Sequence, residues 1–187
     1  MVRILAGVAL GLILSLQAAS AEPPLSELAT GHMQNFAAHE APKPVADVRF
    51  QNADGEEIGF DAFRGKVVLV NLWATWCAPC RHEMPSIDRL AGELQGEDFH
   101  VAAISVDRGR PEKAKAFFEE IGIGNLDFYI DPSARLGAAL KAFGLPLTLL
   151  LDAEGREIGR LVGPAEWDSP EAVALMKAAI AKAGAQG

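Results

Sequence analysis

The stretch from Val67 to Gln95 constrains the fold of this chain most, because it places both cysteines between two strong secondary-structure signals. Residues 67–73, Val-Val-Leu-Val-Asn-Leu-Trp, are rich in β-branched and apolar side chains, which predicts a strand buried on both faces. Residues 81–95 place apolar side chains on one face at helical spacing, namely Met84, Ile87, Leu90, Ala91 and Leu94. Cys77 and Cys80 therefore lie where a buried strand passes into a helix N-terminus.

This position gives the first cysteine a chemical property. The unpaired N–H groups and the positive dipole end of a helix favour a thiolate at its N-terminus and lower the pKa of a thiol there. A thiolate is the attacking species in disulfide exchange. The C-x-x-C spacing of Cys77 and Cys80 in this context therefore predicts a redox-active pair.

Three other interpretations of the two cysteines compete with this one. A zinc site needs about four ligands, and the chain has no further cysteine. A purely structural disulfide with this spacing would close too short a loop to restrict the unfolded chain much. Two buried, inert thiols are a third possibility, although the end of a strand in an α/β sheet is an accessible edge. We favour the redox interpretation and expect no metal and no cofactor.

The N-terminus indicates export. Arg3 is followed by an apolar run over residues 4–16 and then by Ala19-Ser20-Ala21, which together form the pattern of a secretory signal peptide over residues 1–21. The apolar run is shorter than the roughly 20 residues of a bilayer span. We expect cleavage after Ala21 and a periplasmic protein, the alternative being an uncleaved segment that anchors the chain to the inner membrane.

The charge of the chain excludes some partners. The formal net charge is −8, and so acidic a protein is a poor ligand for nucleic acid or for an anionic membrane face. One local basic cluster stands out, and we interpret it as the solvated start of a helix: Arg108, Arg110, Lys113 and Lys115.

The remaining chain divides into a lead-in and a folded domain. Residues 22–44 are predicted to be a flexible or helical lead-in, with a short helix over residues 26–38 capped by Ser26. Residues 45–187 are predicted to form the domain. It begins with a β-hairpin over residues 45–60, whose turn contains Asp54-Gly55.

Strands and helices alternate after the two cysteines. Parallel strands joined by helices imply right-handed crossovers and a mixed sheet flanked by helices, which is the α/β class. The predicted strands cover residues 99–106, 127–130, 147–151 and 157–162, and the predicted helices cover residues 111–121, 132–143 and 170–183.

The motifs resemble those of the exported TlpA-like or ResA-like thiol-disulfide oxidoreductases. The resemblance runs over residues 45–183 and is carried by residues 71–85, Asn-Leu-Trp-Ala-Thr-Trp-Cys-Ala-Pro-Cys-Arg-His-Glu-Met-Pro, and by Gly144-Leu145-Pro146. The stretch Gly163-Pro164-Ala165-Glu166-Trp167 is more similar to α-proteobacterial TlpA than to ResA. This resemblance implies a thioredoxin fold with a central αβ insertion, which corresponds here to residues 111–143.

The resemblance also implies roles for residues around the cysteines. Cys77 would attack a client disulfide, and Cys80 would then resolve the mixed disulfide. Ala78 and Pro79 would shape the turn, and Pro79 removes one backbone donor. Trp76 is interpreted either as an apolar rim beside Cys77 or as ordinary core packing.

Two further positions draw a role from the resemblance. Pro146 would be cis and lie against the C-x-x-C, and the backbone at Leu145 would pair with the bound client. Glu83 would help to set the cysteine pKa values and move protons, or would only stabilise the helix dipole. Asn71 stands where many cytoplasmic thioredoxins have a buried Asp, and an amide cannot act as an acid or base.

The function expected from these features is reduction of client disulfides by a monomeric protein that a membrane electron donor recharges. The family implies clients in respiratory assembly, either c-type apocytochromes or copper-site assembly proteins. A disulfide-forming oxidase is the near alternative, and a Cu(I) metallochaperone is the alternative from another class. A peroxidase of the same superfamily would resemble T-x-x-C, and Thr75 is not at that spacing from either cysteine.

Overall fold

The computed structural model describes residues 23–185, so the predicted signal peptide lies outside the described residues. These residues form one eight-stranded mixed sheet with helices on its faces. The strands are β1 (Ala37–Lys43), β2 (Phe50–Gln51), β3 (Glu57–Ile58), β4 (Val67–Trp73), β5 (Phe99–Ser105), β6 (Tyr129–Ile130), β7 (Leu147–Leu151) and β8 (Glu157–Val162). The helices are α1 (Leu25–Leu28), α2 (Ala78–Leu94), α3 (Pro111–Glu120), α4 (Leu136–Ala139) and α5 (Pro170–Gly184).

Strand β4 lies at the centre of the sheet, whose order is β1-β8-β7-β4-β5-β6-β2-β3. It is parallel to β5 and antiparallel to β7, and each of its residues is buried. The continuous apolar run explains this, since a strand covered on both faces has no solvent side for polar residues. The predicted fold class, an α/β mixed sheet flanked by helices, is confirmed.

Helix α2 follows the cysteines as the periodicity predicts. Its buried face includes Met84, Ile87, Leu90 and Ala91, which are four of the five apolar residues predicted there. The predicted strand over 147–151 and the helix after Ser169 are also confirmed, and Ser169 caps α5 by accepting a hydrogen bond from the Ala172 N–H.

The central insertion contains less regular structure than predicted. Instead of a helix over 132–143, only Leu136–Ala139 is helical. Asp131 explains the difference at the start, because its carboxylate accepts hydrogen bonds from the Ser133 and Leu136 N–H groups. In addition, Ala134 has a φ of 52°, a left-handed conformation that a continuous helix cannot contain.

The structure of the N-terminal segment differs from the flexible or helical lead-in predicted over residues 22–44. Its helix α1 ends at Leu28 and follows Pro24, so Ser26 is not the cap. Residues 37–43 form strand β1, which pairs antiparallel with β8 at the edge of the sheet. Gly31, with a φ of +52°, interrupts the predicted helix, and the buried side chains of Met33 and Phe36 join the core instead.

The predicted hairpin is confirmed, although its strands are short. Strands β2 and β3 pair antiparallel around a turn in which Gly55 has a φ of 82°. Strand β2 also pairs with β6, which connects the hairpin to the insertion. Within residues 23–185, no helix has the length and apolar character needed to cross a membrane.

We expect Gly159→Ala to destabilise the protein, because Phe36 packs directly on Gly159. A Cβ there would overlap the Phe36 ring and lie 3.1 Å from the Ala37 carbonyl oxygen. Overpacking of this kind lowers the free energy of unfolding by about 1–3 kcal/mol, measured by urea denaturation.

Gly96→Ala is the matched control, since a Cβ at that position meets no atom within 4 Å in the described structure. Its free energy of unfolding should stay within about 0.5 kcal/mol of the original. Equal stabilities for the two variants would contradict the packing of the N-terminal segment on β8.

Candidate active site

The two cysteines form a disulfide at the N-terminus of helix α2. The Cys77 and Cys80 sulfurs are 2.03 Å apart, and their Cα atoms are 5.3 Å apart. Cys77 is the N-cap residue, and its sulfur accepts a hydrogen bond from the Cys80 N–H at 3.3 Å. Cys77 retains 5% exposure, whereas Cys80 has none. A thiolate of another molecule can therefore reach the outer sulfur, while the inner one is shielded.

Trp76, which directly precedes Cys77, is one of the exposed apolar side chains of the protein. Among the described residues, the large apolar side chains that project into solvent are Trp76, Phe143 and Val162, which are 71%, 96% and 52% exposed. Trp76 is thus a rim residue, and the alternative of core packing is wrong. Ala78 and Pro79 are exposed as well and form the first turn of α2.

Leu145 and Pro146 approach the site from strand β7. The peptide bond between them is cis, as the resemblance implies. Leu147 pairs with Leu72, so the register places Pro146 opposite Trp73, at the end of β4 that leads to the cysteines. The Pro146 carbonyl accepts a hydrogen bond from the Gly163 N–H at 2.9 Å. Leu145 lines a groove together with Trp76.

Glu83 is buried one turn beyond Cys80 in helix α2, with 1% exposure. Its Oε1 accepts a hydrogen bond from Asn71 Nδ2 at 2.8 Å, and its Oε2 accepts from the Ala165 N–H at 3.0 Å and from Trp167 Nε1 at 3.2 Å. Burial nevertheless raises the pKa of Glu83 to about 7, because the loss of solvation outweighs the hydrogen bonds that stabilise the carboxylate.

Asn71 connects this carboxylate to strand β7. Its Nδ2 also donates to Thr148 Oγ1 at 2.9 Å, while its Oδ1 has no hydrogen-bond partner within the described part of the chain. An amide can donate to an ionised carboxylate or, after a 180° turn, accept from a protonated one. Asn71 can therefore accommodate both protonation states of Glu83, although it does not titrate itself.

Asp107 is a site residue that the sequence analysis missed. It follows strand β5, is 5% exposed, and accepts hydrogen bonds from the Thr75 N–H at 2.9 Å and the Thr75 hydroxyl at 2.8 Å. The Ser105 hydroxyl also donates to it. Because β4 and β5 are parallel, their carboxyl ends lie at the same edge of the sheet. The position of Asp107 directly after the strand predicted over residues 99–106 could therefore have identified it as a site residue.

We expect Glu83→Gln to remove a pH dependence of stability. Glu83 binds its proton more tightly in the folded chain, since its pKa rises there from 4.5 to about 7. Its stabilising contribution is therefore complete below the unfolded pKa and is lost as the pH rises through the folded pKa. The free energy of unfolding of the original protein should fall relative to Glu83→Gln by about 3 kcal/mol between about pH 4 and about pH 8.

The measurement is urea denaturation of the oxidised proteins across this pH range. Glu119→Gln changes an exposed carboxylate on helix α3 and serves as the control, with a pH profile parallel to the original. A Glu83→Gln profile that is also parallel would show that Glu83 does not titrate in this window.

We expect Asp107→Ala to release the segment before Cys77. The Thr75 amide and hydroxyl would lose their acceptor, and an unmet buried donor costs about 1–3 kcal/mol. Hydrogen exchange of the Thr75 amide, followed by NMR, should accelerate at least tenfold relative to the exposed-site control Asp47→Ala. Unchanged exchange would mean that Asp107 does not hold this segment.

Comparisons with known proteins agree with this geometry. The chain is 35% identical over 100 residues to the thiol:disulfide interchange protein HelX of Rhodobacter capsulatus, and the match covers 54% of each protein. It is 33% identical over 114 residues to the thiol-disulfide oxidoreductase ResA of Geobacillus thermodenitrificans, covering 59% of this chain and 62% of ResA. The matches thus span between half and two thirds of the length of these relatives.

Solved structures show the same fold. A secreted thiol-disulfide isomerase from Corynebacterium glutamicum superimposes with a TM-score of 0.66 at 21% identity, covering 80% of this chain and 92% of that one. A thiol:disulfide interchange protein of the thioredoxin family from Chlorobium tepidum gives 0.60 at 26% identity, covering 76% and 99%. A sequence model of one family matches residues 39–159, which include the disulfide, Glu83 and Pro146. The chain therefore belongs to the AhpC/TSA family, with a thioredoxin-like fold.

Proposed function

We propose that this protein is a thiol-disulfide oxidoreductase that reduces disulfides of client proteins through Cys77 and Cys80. The observation that carries the proposal is the position of the pair, with one sulfur accessible at a helix N-terminus and the other shielded behind it. The names of the relatives HelX and ResA, an interchange protein and an oxidoreductase, support this activity.

The reaction begins with the reduced pair. The Cys77 thiolate attacks one sulfur of the client disulfide, that S–S bond breaks, and the released client sulfur takes a proton. Cys80 then loses its proton and attacks the Cys77 sulfur, which breaks the mixed disulfide and closes the Cys77–Cys80 bond. The second client sulfur leaves in this step and takes a proton that replaces the one Cys80 gave up, while the proton on the first client sulfur replaces the one that Cys77 lost to solvent on ionising. Two electrons and two protons thus pass in total, and the client leaves with two thiols.

Glu83 is the group we propose for the proton of Cys80. It is buried one turn away on the same helix, and a pKa of about 7 lets it accept and release a proton near neutral pH. A carboxylate that only stabilised the helix dipole would not need a buried network of three donors. Ala78 and Pro79 shape the turn, while Trp76, Leu145 and Pro146 position the client chain.

The physiological role extends the resemblance to TlpA-like and ResA-like proteins. The protein is exported to the periplasm by the segment over residues 1–21, acts as a monomer, and is recharged by a membrane electron donor. Its clients are apocytochromes c or copper-site assembly proteins that must be kept reduced. The equilibrium potential against glutathione separates this reductive role from disulfide formation.

We expect the purified, reduced protein to catalyse reduction of insulin disulfides and to contain no stoichiometric metal. Cys77→Ser should lower the rate to that of the uncatalysed reaction, because the accessible sulfur is removed and the remaining one, Cys80, is shielded. Cys80→Ser should instead accumulate a mixed disulfide with the client, which non-reducing electrophoresis and mass spectrometry detect.

The control is Thr30→Ser, which replaces one hydroxyl residue by another just before the 3₁₀ turn Gly31–Met33, outside the site. We expect its rate of insulin reduction to be unchanged. Activity that survives Cys77→Ser would contradict the proposed mechanism. Stoichiometric copper in the purified protein would favour a Cu(I) metallochaperone instead.

A further inference from the structure

A groove of about 810 Å³ lies at the segment that directly precedes the disulfide, and its basic side chains take no part in the chemistry above. One wall is formed by Thr75 and Trp76, directly before Cys77, and the opposite wall by the insertion segment that ends at Leu145. We call it the insertion groove. A chain that pairs with the backbone at Leu145 would pass directly into it.

The charged side chains of the insertion groove are almost all positive. Arg108, Arg110 and Lys113 line it, and all of them are exposed. None of them forms an ion pair with another of residues 23–185. The acidic residue in the lining is Asp107, whose carboxylate is already occupied by Thr75 and Ser105.

This basic groove contrasts with the charge of the whole chain, which is −8. Lys115 does not line the groove: its Nζ donates to the Ala53 carbonyl and lies 5.1 Å from the Phe128 ring centroid. The sequence interpretation of the cluster as a solvated helix start does not account for three cations that line one groove together with Thr75 and Trp76, which directly precede Cys77. An anionic ligand would find its favourable local field there.

The apolar part of the groove indicates the size of that ligand. Trp76 and Phe143 both line it and are 71% and 96% exposed. Large exposed apolar side chains rimmed by charge are typical of protein–protein contact surfaces. A small anionic disulfide would neutralise the cations but would leave these aromatic faces in water.

We propose that the insertion groove binds an acidic segment of the client polypeptide, next to the client cysteine that Cys77 attacks. Carboxylates of the segment pair with Arg108, Arg110 and Lys113, and an apolar side chain packs on Trp76 and Phe143. The site thereby selects clients with acidic residues flanking their disulfide. This inference rests on the proposed disulfide reductase activity and adds a specificity to it.

The test uses cyclic peptides that are closed by one disulfide and differ only in whether the flanking residues are acidic or basic. Reduction by the full dithiol protein is followed by tryptophan fluorescence, and kcat/KM is compared for the two peptides. We expect the acidic peptide to react about tenfold faster at low salt. The ratio should approach one as the salt concentration rises to about 0.5 M.

A pair of charge-matched variants locates the effect. Arg108→Gln/Lys113→Gln should reduce the acidic-to-basic ratio by roughly threefold or more, whereas Lys115→Gln/Lys182→Gln, with the same change in net charge, should retain it. Lys182 lines a cavity on the opposite, N-terminal side of the domain. Because the ratio is taken within one preparation, partial loss of folded protein cancels out of it.

Three outcomes overturn the inference. If the acidic-to-basic ratio of kcat/KM is one for the original protein, the insertion groove does not select acidic clients. The same conclusion follows if this ratio is equal in the two double variants. Reduction of oxidised glutathione, a small anionic disulfide, is measured in parallel. If Arg108→Gln/Lys113→Gln slows this reaction as much as it slows reduction of the acidic peptide, the groove is a small-anion site and not a site for an acidic segment. If no peptide is reduced at all, the proposed function fails instead.

Discussion

The junction between strand β4 and helix α2 is the constraint on which the rest of this structure depends. Every residue of β4 is buried, so the strand has no freedom to shift its end, and the apolar face of α2 fixes the helix against the same core. Asp107 holds Thr75 in the short connection. Cys77 is consequently fixed as the N-cap, where the helix amide groups face its sulfur.

The buried carboxylate of Glu83 is the second element of the account. Burial of an ionisable group opposes folding in its charged form, and here three donors from β4 and the segment after β8 compensate only in part, because the pKa of Glu83 still rises to about 7. Asn71 supplies a partner that serves either protonation state without competing for the proton. The same network joins α2, β4 and β7 through the two hydrogen bonds that Asn71 donates.

The sequence predicted the parts of the fold whose signals are local. The apolar run of β4, the periodicity of α2 and the cap at Ser169 were each enough to predict the element to which they belong. Strand β1 was missed because its pairing with β8 is long-range and its own sequence, Ala-Ala-His-Glu-Ala-Pro-Lys, has no strand pattern. The helix predicted over residues 132–143 was too long because the Asp131 side chain accepts hydrogen bonds from the Ser133 and Leu136 N–H groups. The hydrogen bonds from Ala165 and Trp167 to Glu83 required the tertiary structure, whereas Cys77, Cys80, Pro146 and Glu83 lay within recognisable motifs.

The central claim is that the outer sulfur is held as a reactive thiolate. Its most direct test is the pH dependence of Cys77 alkylation in the reduced protein, read by mass spectrometry at that residue. The account predicts that the alkylation rate is half-maximal at a pH at least about one unit below the pKa of about 8.5 of a free cysteine. A profile and rate that coincide with those of free cysteine would contradict it.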